Sequence, residues 1–422
     1  MLNFREFSLG DKPLFEELCR KYPSPGCERC FAVAYVWRIF FDYRVADWNG
    51  RLVIFEKSNG WLMYPLGEAT PPEDLFRLVC EVEACGFKVS SVYDIPPGYF
   101  DAYPNAKDFF ELKLEEKYFD YLYNAADIFE LKGPLLRKKR NHIKHFTSEN
   151  PGWTCEDLCA GNTAEARAFM EAMECDSETA AISCAFDNFD VLGWGGVALK
   201  NSSGKIVAAA LICKINDEVF DVSFEKSDKS CEGAAQMIVK LEARYILSKG
   251  GRIMNREQDM GLENLRHAKR SLDPFMFERG MLYPAGARFS VRKIDPKDTD
   301  ILGQVLSLYS LSGWFDGEDA DIPRQVESIV KNSYCFFGAF DGVRLAGFFR
   351  ALSDGVSDAY LLDLFVDPQF RGMGAGKKLC AHITNFLFSK GVSYITCIST
   401  PEGRGVYGPM AKVMDTFTPF KF

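Results

Sequence analysis

The chain has 422 residues, enough for two to four domains at roughly 100–200 residues each, so a single small module is excluded. Apolar residues make up 47% and charged residues 26%, the composition of a folded globular protein and not of a disordered or fibrous one. With 50 Lys and Arg against 59 Asp and Glu the net charge is −9, which argues against a chain devoted wholly to nucleic acid or anionic membrane and leaves room for a local basic patch.

At the N-terminus, residues 1–18 contain no basic start, no long apolar run and no small-residue cleavage site, so no secretory signal is expected. The longest apolar stretch, Phe31 to Phe41, is broken by Arg38 and falls short of the ~20 residues a membrane helix needs. No transmembrane segment is therefore expected, and the predicted location is the cytoplasm. There the 14 cysteines would be reduced thiols, many acting as small buried hydrophobes. Cys27 and Cys30 have the spacing of half a zinc site, but no second pair completes it, and no metal is expected.

Three stretches share one pattern, a helical segment that stops at glycine and is followed at once by a β-branched or aromatic strand. They are Asp74–Gly86 then 87–92, Ala234–Gly250 then 251–255, and Lys377–Gly391 then 392–396. Their spacing of about one domain predicts a threefold repeat of an α+β unit, although helix-Gly-strand is also simply common in α/β proteins. Asn150-Pro151-Gly152 and Pro284-Ala285-Gly286 punctuate the chain between copies, predicting domains over 1–150, 151–288 and 289–422. Near the first break, Leu131–Phe146 contains six Lys/Arg and no acid. Helical spacing puts Arg137, Arg140, Asn141 and Lys144 on one face, which suits either a polyanion or plain solvent.

The third unit reads most clearly. Strand 289–294 is followed by helices over 296–309 and 324–332. Three antiparallel strands then follow at 334–340, 345–352 and 359–366, joined by Asp341-Gly342 and Asp354-Gly355. A glycine loop, a helix and a strand at 392–398 complete the order. The loop, Gln369-Phe370-Arg371-Gly372-Met373-Gly374-Ala375-Gly376-Lys377, follows a strand ended by Asp367-Pro368 and opens a helix. Backbone amides freed by glycine and the positive end of the helix dipole suit a pyrophosphate there. It lacks the Gly-Lys-Ser/Thr of a nucleotide-triphosphate loop and the parallel βαβ context of a dinucleotide fold.

Gln369-x-x-Gly372-x-Gly374, the preceding 362–368 and the element order resemble the GNAT acyltransferases, over roughly residues 289–422. The resemblance implies acetyl-CoA as cofactor. Its pyrophosphate would lie on the amides of Gln369, Phe370, Arg371, Gly372, Met373, Gly374, Ala375, Gly376 and Lys377, and its pantetheine along Leu364, Phe365 and Val366. It also implies Asp363, a carboxylate inside an apolar strand, as the base that deprotonates an amine. The alternative is a structural carboxylate satisfied by backbone or a cation. Tyr407, by its distance from the loop, would protonate the departing thiolate, or else is simply packed. Trp314 and Phe315 would line the acceptor pocket. Direct attack is expected; the 14 cysteines make an acyl-cysteine route the competitor, but none sits in or beside the loop, and Cys380, on the packed side of the loop helix, would stay protonated.

In the first two units, 224–234, Asn255-Arg256-Glu257-Gln258-Asp259, 265–269 and the pieces at 132–141 resemble the phosphatidylglycerol lysyltransferase C-terminal-like family, over roughly 5–285. That family is built of two GNAT-like halves. Arg137, Arg140, Lys144, Arg256, Arg266 and Lys269 would then bind substrate or a polyanion such as tRNA, or else belong to buried ion pairs. The second unit's equivalent loop, 230–235, has one glycine and Glu232 where phosphate would sit, and the first unit has no such loop. Acetyl-CoA is therefore expected on the third unit only.

The expected fold is α+β, with three GNAT-like domains of mixed, mostly antiparallel sheets flanked by helices, the first two a tandem pair. The expected function is acetyl-CoA-dependent N-acetyl transfer to an unknown small-molecule or peptide amine. The alternatives are aminoacyl transfer from tRNA to a lipid or peptide by the first two units, and a non-catalytic CoA-responsive binding protein.

Overall fold

A computed structural model describes residues 2–173, 176–315 and 321–414. Its strands form three mostly antiparallel sheets flanked by helices, two of seven strands and one of five. Local chemistry explains the simplest joins. Asn49 and Gly50, at φ 50° and 75°, connect strands Tyr43–Trp48 and Arg51–Glu56 in the two-residue turn whose twist matches paired strands.

The three helix-Gly-strand stretches occupy equivalent places. In each sheet a strand leads into a helix, and the strand after the helix returns parallel to the first. The triplets are Trp61–Met63, Pro72–Ala84 and Ser91–Ile95, then Val219–Ser227, Ala234–Ser248 and Ile253–Asn255, then Asp358–Val366, Ala375–Ser389 and Tyr394–Cys397. Gly86, Gly250 and Gly391 end the helices at φ 90°, 83° and 88°, conformations that favour glycine. In the third unit each element lies within a few residues of its predicted range.

The first two units are less separable than the turn at 150–152 suggests. Strand Asp120–Asn124, which precedes that turn, lies in the second sheet between Ile253–Asn255 and Phe275–Phe277. Strand Gly280–Pro284 returns to the first sheet, between Ser91–Ile95 and Phe110–Leu114. The exchange is reciprocal, so no cut at 150 separates the sheets. The turn signal is local, whereas Asp120–Asn124 is buried over its first four residues and requires partners on both edges. One apolar core spans both units, from Phe7, Val45 and Ile54 to Ala198, Leu211 and Phe224.

The third sheet is covered on one face by helices Thr299–Ser312 and Ile322–Asn332 and on the other by helix Ala375–Ser389. The latter also packs on helix Pro72–Ala84, placing Ala381 in the core of the first unit. Among the described residues no helix is long and apolar enough to cross a membrane.

Candidate functional site

The glycine loop sits where the third sheet opens. Strand Asp358–Val366 pairs with Tyr394–Cys397 only from Asp358 to Leu361, while on its other edge pairing with Arg344–Ser353 continues to Val366. The edge from Leu362 to Val366 is thus released on one side. The register also shifts here, with Phe348 opposite Phe365 but Arg350 opposite Leu362, so that two residues face one. Asp363 stands in this bulge at φ 56°, a backbone conformation that costs on the order of 1 kcal/mol.

The bulge turns Asp363 toward helix Thr299–Ser312. Its Oδ2 accepts from the Tyr309 hydroxyl at 2.9 Å and from Arg350 Nε at 2.6 Å. The carboxylate therefore has a cation partner, and both donors converge on one oxygen. Burial, reinforced by Asp363, holds the Tyr309 hydroxyl well above its ordinary pKa, so it remains a donor. Around Tyr309 the rings of Phe348, Phe315 and Trp314 lie at centroid distances of 4.5, 5.6 and 5.9 Å, and Trp314 is 5.8 Å from Phe365. Trp314 and Phe315 are thus brought to the neighbourhood of Asp363. Tyr309 and Arg350 went unnoticed in the sequence, although a charge inside the apolar strand 345–352 was a usable signal.

In the loop, Asp367 accepts from the Gln369 N–H at 2.9 Å, and Arg344 bridges Asp367 and Gln369 at 3.0 Å each. Phe370 anchors the turn, while Arg371, Gly372 and Met373 are exposed. Gly374 caps helix Ala375–Ser389 at φ 87°, and the N–H groups of its first turn have no intrahelical acceptor.

Two loop residues behave differently from expectation. Lys377 donates its ammonium to the Asp108 carbonyl of the first unit, which leaves only its main-chain N–H for the loop. A Cβ at Gly374 would collide with Gly286 N and lie 2.7 Å from Ala285 C. A bulky side chain there would push on the segment entering the third unit.

Tyr407 lies on the other face of the sheet from Asp363. Its ring is 6.1 Å from that of Phe349 and packs with the core of helix Ala375–Ser389, whereas Asp363 bonds to Tyr309 in the opposite core. Burial, with smaller contributions from the Cys397 and Cys380 thiols, raises the Tyr407 pKa and keeps its proton in place. A Cβ at Gly376 would be 3.6 Å from Val406 and 3.7 Å from Val366, so the short helix Arg404–Tyr407 borders the released strand edge.

The second unit has the same parts in another state. Gly233 caps helix Ala234–Ser248 at φ 84°, but a Cβ there would collide with the His142 carbonyl oxygen and lie 2.9 Å from Phe146 Cβ. The basic helix Arg137–Glu149 thus lies on this helix start. Glu232 pairs with His145 Nε2 at 3.2 Å.

Most of the cations expected to bind a polyanion are engaged internally. Arg140 donates to the carbonyls of Leu131 and Gly133, and Arg256 pairs with Glu225. Arg266 holds Asp259 at 2.6 and 3.0 Å, and the Lys269 ammonium caps the carbonyls of Arg256, Glu257 and Gln258. Residues 256–259 follow strand Ile253–Asn255 as a loop that builds a network of internal bonds, so Arg140, Arg256, Arg266 and Lys269 are found with partners inside the protein, the ion-pair alternative raised for them. Arg137 and Lys144 are exposed.

The hub of this network is Asp120, on the exchanged strand. It accepts from Cys27 N at 2.9 Å, Asn255 Nδ2 at 2.8 Å, Gln258 Nε2 at 2.7 Å and Arg279 at 2.6 Å. Burial pushes Asp120 up to about 6 and Asp221 up to about 7. For Asp259 burial acts upward too, but Arg266, Tyr121 and the Gly261 N–H outweigh it and bring the group down to about 2. Cys27 and Cys30 diverge. Cys27 approaches Asp120, and Cys30 Sγ lies 3.2 Å from Cys213 Sγ. Asp120 and Arg279 carried no motif, because their meaning depends on partners more than a hundred residues away.

Comparison with known proteins divides the chain in the same way. Residues 19–281 match the family described as phosphatidylglycerol lysyltransferase, C-terminal, and residues 303–406 match the acetyltransferase (GNAT) family. The crystal structure of a conserved protein of unknown function from Bacteroides thetaiotaomicron superposes with TM-score 0.61 at 27% identity, covering 67% of this chain and 100% of that one. GCN5-related N-acetyltransferase 1, chloroplastic, of Arabidopsis thaliana is 38% identical over 72 residues, 17% of this chain and 36% of that protein. Serotonin N-acetyltransferase 2, chloroplastic, of Oryza sativa subsp. japonica is 35% identical over 72 residues, again 17% of this chain and 36% of that protein. The chain therefore spans little more than a third of the length of these curated relatives. On the match that runs through its first two units, the chain belongs to the phosphatidylglycerol lysyltransferase C-terminal family, and it carries a GNAT acetyltransferase domain as its third unit.

Proposed function

We propose that the third unit transfers the acetyl group of acetyl-CoA to an amine. One observation carries this reading: the released strand edge Leu362–Val366, the exposed glycine loop and Asp363 all meet at one opening of the sheet. The parts suit the cofactor. The N–H groups of Gly372 to Lys377 would hold the pyrophosphate, and the main chain of Leu364 to Val366 would pair with the pantetheine amides. Bound there, acetyl-CoA supplies an activated thioester.

The residues of the chain address the acceptor. At pH 7 an ordinary amine of pKa near 10.4 is only about 0.04% free base, a handicap of roughly 4–5 kcal/mol. Asp363, with Oδ2 fixed by Tyr309 and Arg350, offers Oδ1 to the amine proton, directly or through water. Tyr407, on the short helix that borders the released strand edge, would give the departing sulfur its proton. The accessible rings of Trp314 and Phe315, packed on the buried Tyr309, favour an amine with an apolar or aromatic body, and the name of the rice relative specifies one such amine. Direct attack is favoured over an acyl-cysteine, because burial pushes the Cys380 thiol up to about 12.

The test is calorimetric titration of the full chain with acetyl-CoA, then turnover with a panel of aryl and alkyl amines. Asp363→Asn should lower the rate about 100-fold near neutral pH and recover as rising pH supplies free amine. Tyr407→Phe should reduce kcat with acetyl-CoA affinity nearly unchanged. Absence of acetyl-CoA binding by the folded chain would refute the reading. A pH-independent defect in Asp363→Asn would return that residue to a structural role.

A further inference from the structure

Helix Pro72–Ala84 of the first unit lies against helix Ala375–Ser389 of the third. At their contact Cys80, Glu83 and His382 come together, with one possible ligand atom from each lying within 4.8 Å of the others. Cys80 and Glu83 are one turn apart on the same helix face. Cys80 is 1% exposed and His382 8%. His382 Nε2 is buried without a hydrogen-bond partner, and its distance of 3.7 Å from Glu83 Oε2 is too long for one.

We propose that Cys80, Glu83 and His382 bind a divalent transition-metal ion of the zinc type, which clasps the third unit to the first. The donor set argues for the class. A thiol and an imidazole suit zinc, whereas magnesium and calcium take oxygen ligands. The orphaned imidazole nitrogen faces the carboxylate and thiol that would share the ion. Binding displaces one proton, that of the Cys80 thiol, to solvent as the sulfur–metal bond forms. Thiolate and carboxylate then offset the two charges of the ion, the Lys378 ammonium beside Glu83 leaves one net positive charge on the cluster, and a water completes a fourfold set.

Lys378 fits this arrangement as an outer partner. Its Nζ is 3.0 Å from Glu83 Oε1, 2.9 Å from Oε2 and 3.3 Å from the Gly286 carbonyl oxygen. When Oε2 turns to the ion, Lys378 keeps Oε1 and Gly286 and orients the ligating carboxylate. The other comparable group, Cys27, Glu28 and Asp120, differs in kind. It has no imidazole, and Cys27 Sγ already bonds both Glu28 and Asp120, whose carboxylates also pair with Arg279, so no ligand atom there is left orphaned as His382 Nε2 is. No sequence spacing announces the clasp, because His382 lies in a different unit from Cys80 and Glu83.

The test uses the full chain, stripped with a chelator and titrated with Zn²⁺ and Co²⁺. One equivalent should bind tightly, and the Co²⁺ form should show thiolate charge-transfer absorption. Cys80→Ser should abolish that band, His382→Gln should weaken Zn²⁺ binding at least tenfold, and Cys159→Ser, at an exposed thiol, should change neither. Circular dichroism checks that each variant folds. Anomalous diffraction at the zinc edge on the unsubstituted protein locates the ion independently of any variant. Density between helices Pro72–Ala84 and Ala375–Ser389 would support the clasp. Density elsewhere, a band that survives Cys80→Ser, or no metal uptake, with His382 only a protonated partner of Glu83, would overturn it.

Discussion

Gly233 and Gly374 cap equivalent helices at nearly the same φ, 84° and 87°, yet different segments lie on the two helix starts. Over Gly233 lies the basic helix Arg137–Glu149, with Glu232 turned to its histidines. Beside Gly374 runs only the segment at Ala285 and Gly286, and Arg371 to Met373 stay exposed without an acid among them. The same local backbone motif thus carries different neighbours: what packs on the first turn, and the charge beside it, differ between the two units.

The largest effects should come from forcing a side chain into either cap. Strain at positive φ and overpacking against backbone together cost roughly 2–6 kcal/mol. Gly233→Val should destabilise the whole tandem pair, because its two units share one core. Gly374→Val should instead loosen the third unit at Gly286 and leave the pair folded. Urea denaturation with limited proteolysis near residues 286–290 separates the outcomes, and a single joint transition in both variants would break the comparison.

A pH effect should next distinguish the units. Asp120 and Asp221, both in the tandem pair, are raised to about 6 and about 7. A raised carboxyl pKa means that the folded state holds its proton more tightly. The resulting stability is fully present below the unfolded value near 3.9 and is lost as pH rises through about 6 to 7. Asp259, held at about 2, acts oppositely, stabilising above the unfolded value and losing that as pH falls toward 2. The tandem pair should thus weaken by on the order of 1–3 kcal/mol between pH 5 and pH 8, and Asp221→Asn should flatten the slope in urea melts.

A smaller change tests charge alone. Met373, exposed and next to the cap, corresponds in place to Glu232. Met373→Glu should weaken acetyl-CoA binding about tenfold, or ~1.4 kcal/mol, without changing the melting curve. Unaltered calorimetric affinity would mean that the loop charge does not matter. Smallest of all should be Arg137→Gln combined with Lys144→Gln on the covering helix. Both are exposed, so stability should move by less than about 0.5 kcal/mol in the same melts.

Much of the third unit was legible in advance. Asp341-Gly342 and Asp354-Gly355 located its hairpins, and Gly372 and Gly374 located the helix start, because turn chemistry and periodicity act within a few residues. In the second unit the single glycine and Glu232 were legible, whereas the helix Arg137–Glu149 that lies on that helix start was not. For Arg256, Arg266 and Lys269 the sequence left binding and internal pairing open, because it displays charge without its partners.

The sequence by itself determined the three helix-Gly-strand copies, the order of elements after residue 289 and the helix start at the glycine loop. Only the tertiary structure decided the exchange of strands Asp120–Asn124 and Gly280–Pro284, the pairing of Asp363 with Tyr309 and Arg350, and the docking of Lys377 and Lys378 on the first unit. The division has a physical cause. Backbone dihedral preferences are set by each residue and its immediate neighbours, whereas a buried charge or an unpaired strand edge is satisfied by whichever group the fold brings to it, however distant in the chain.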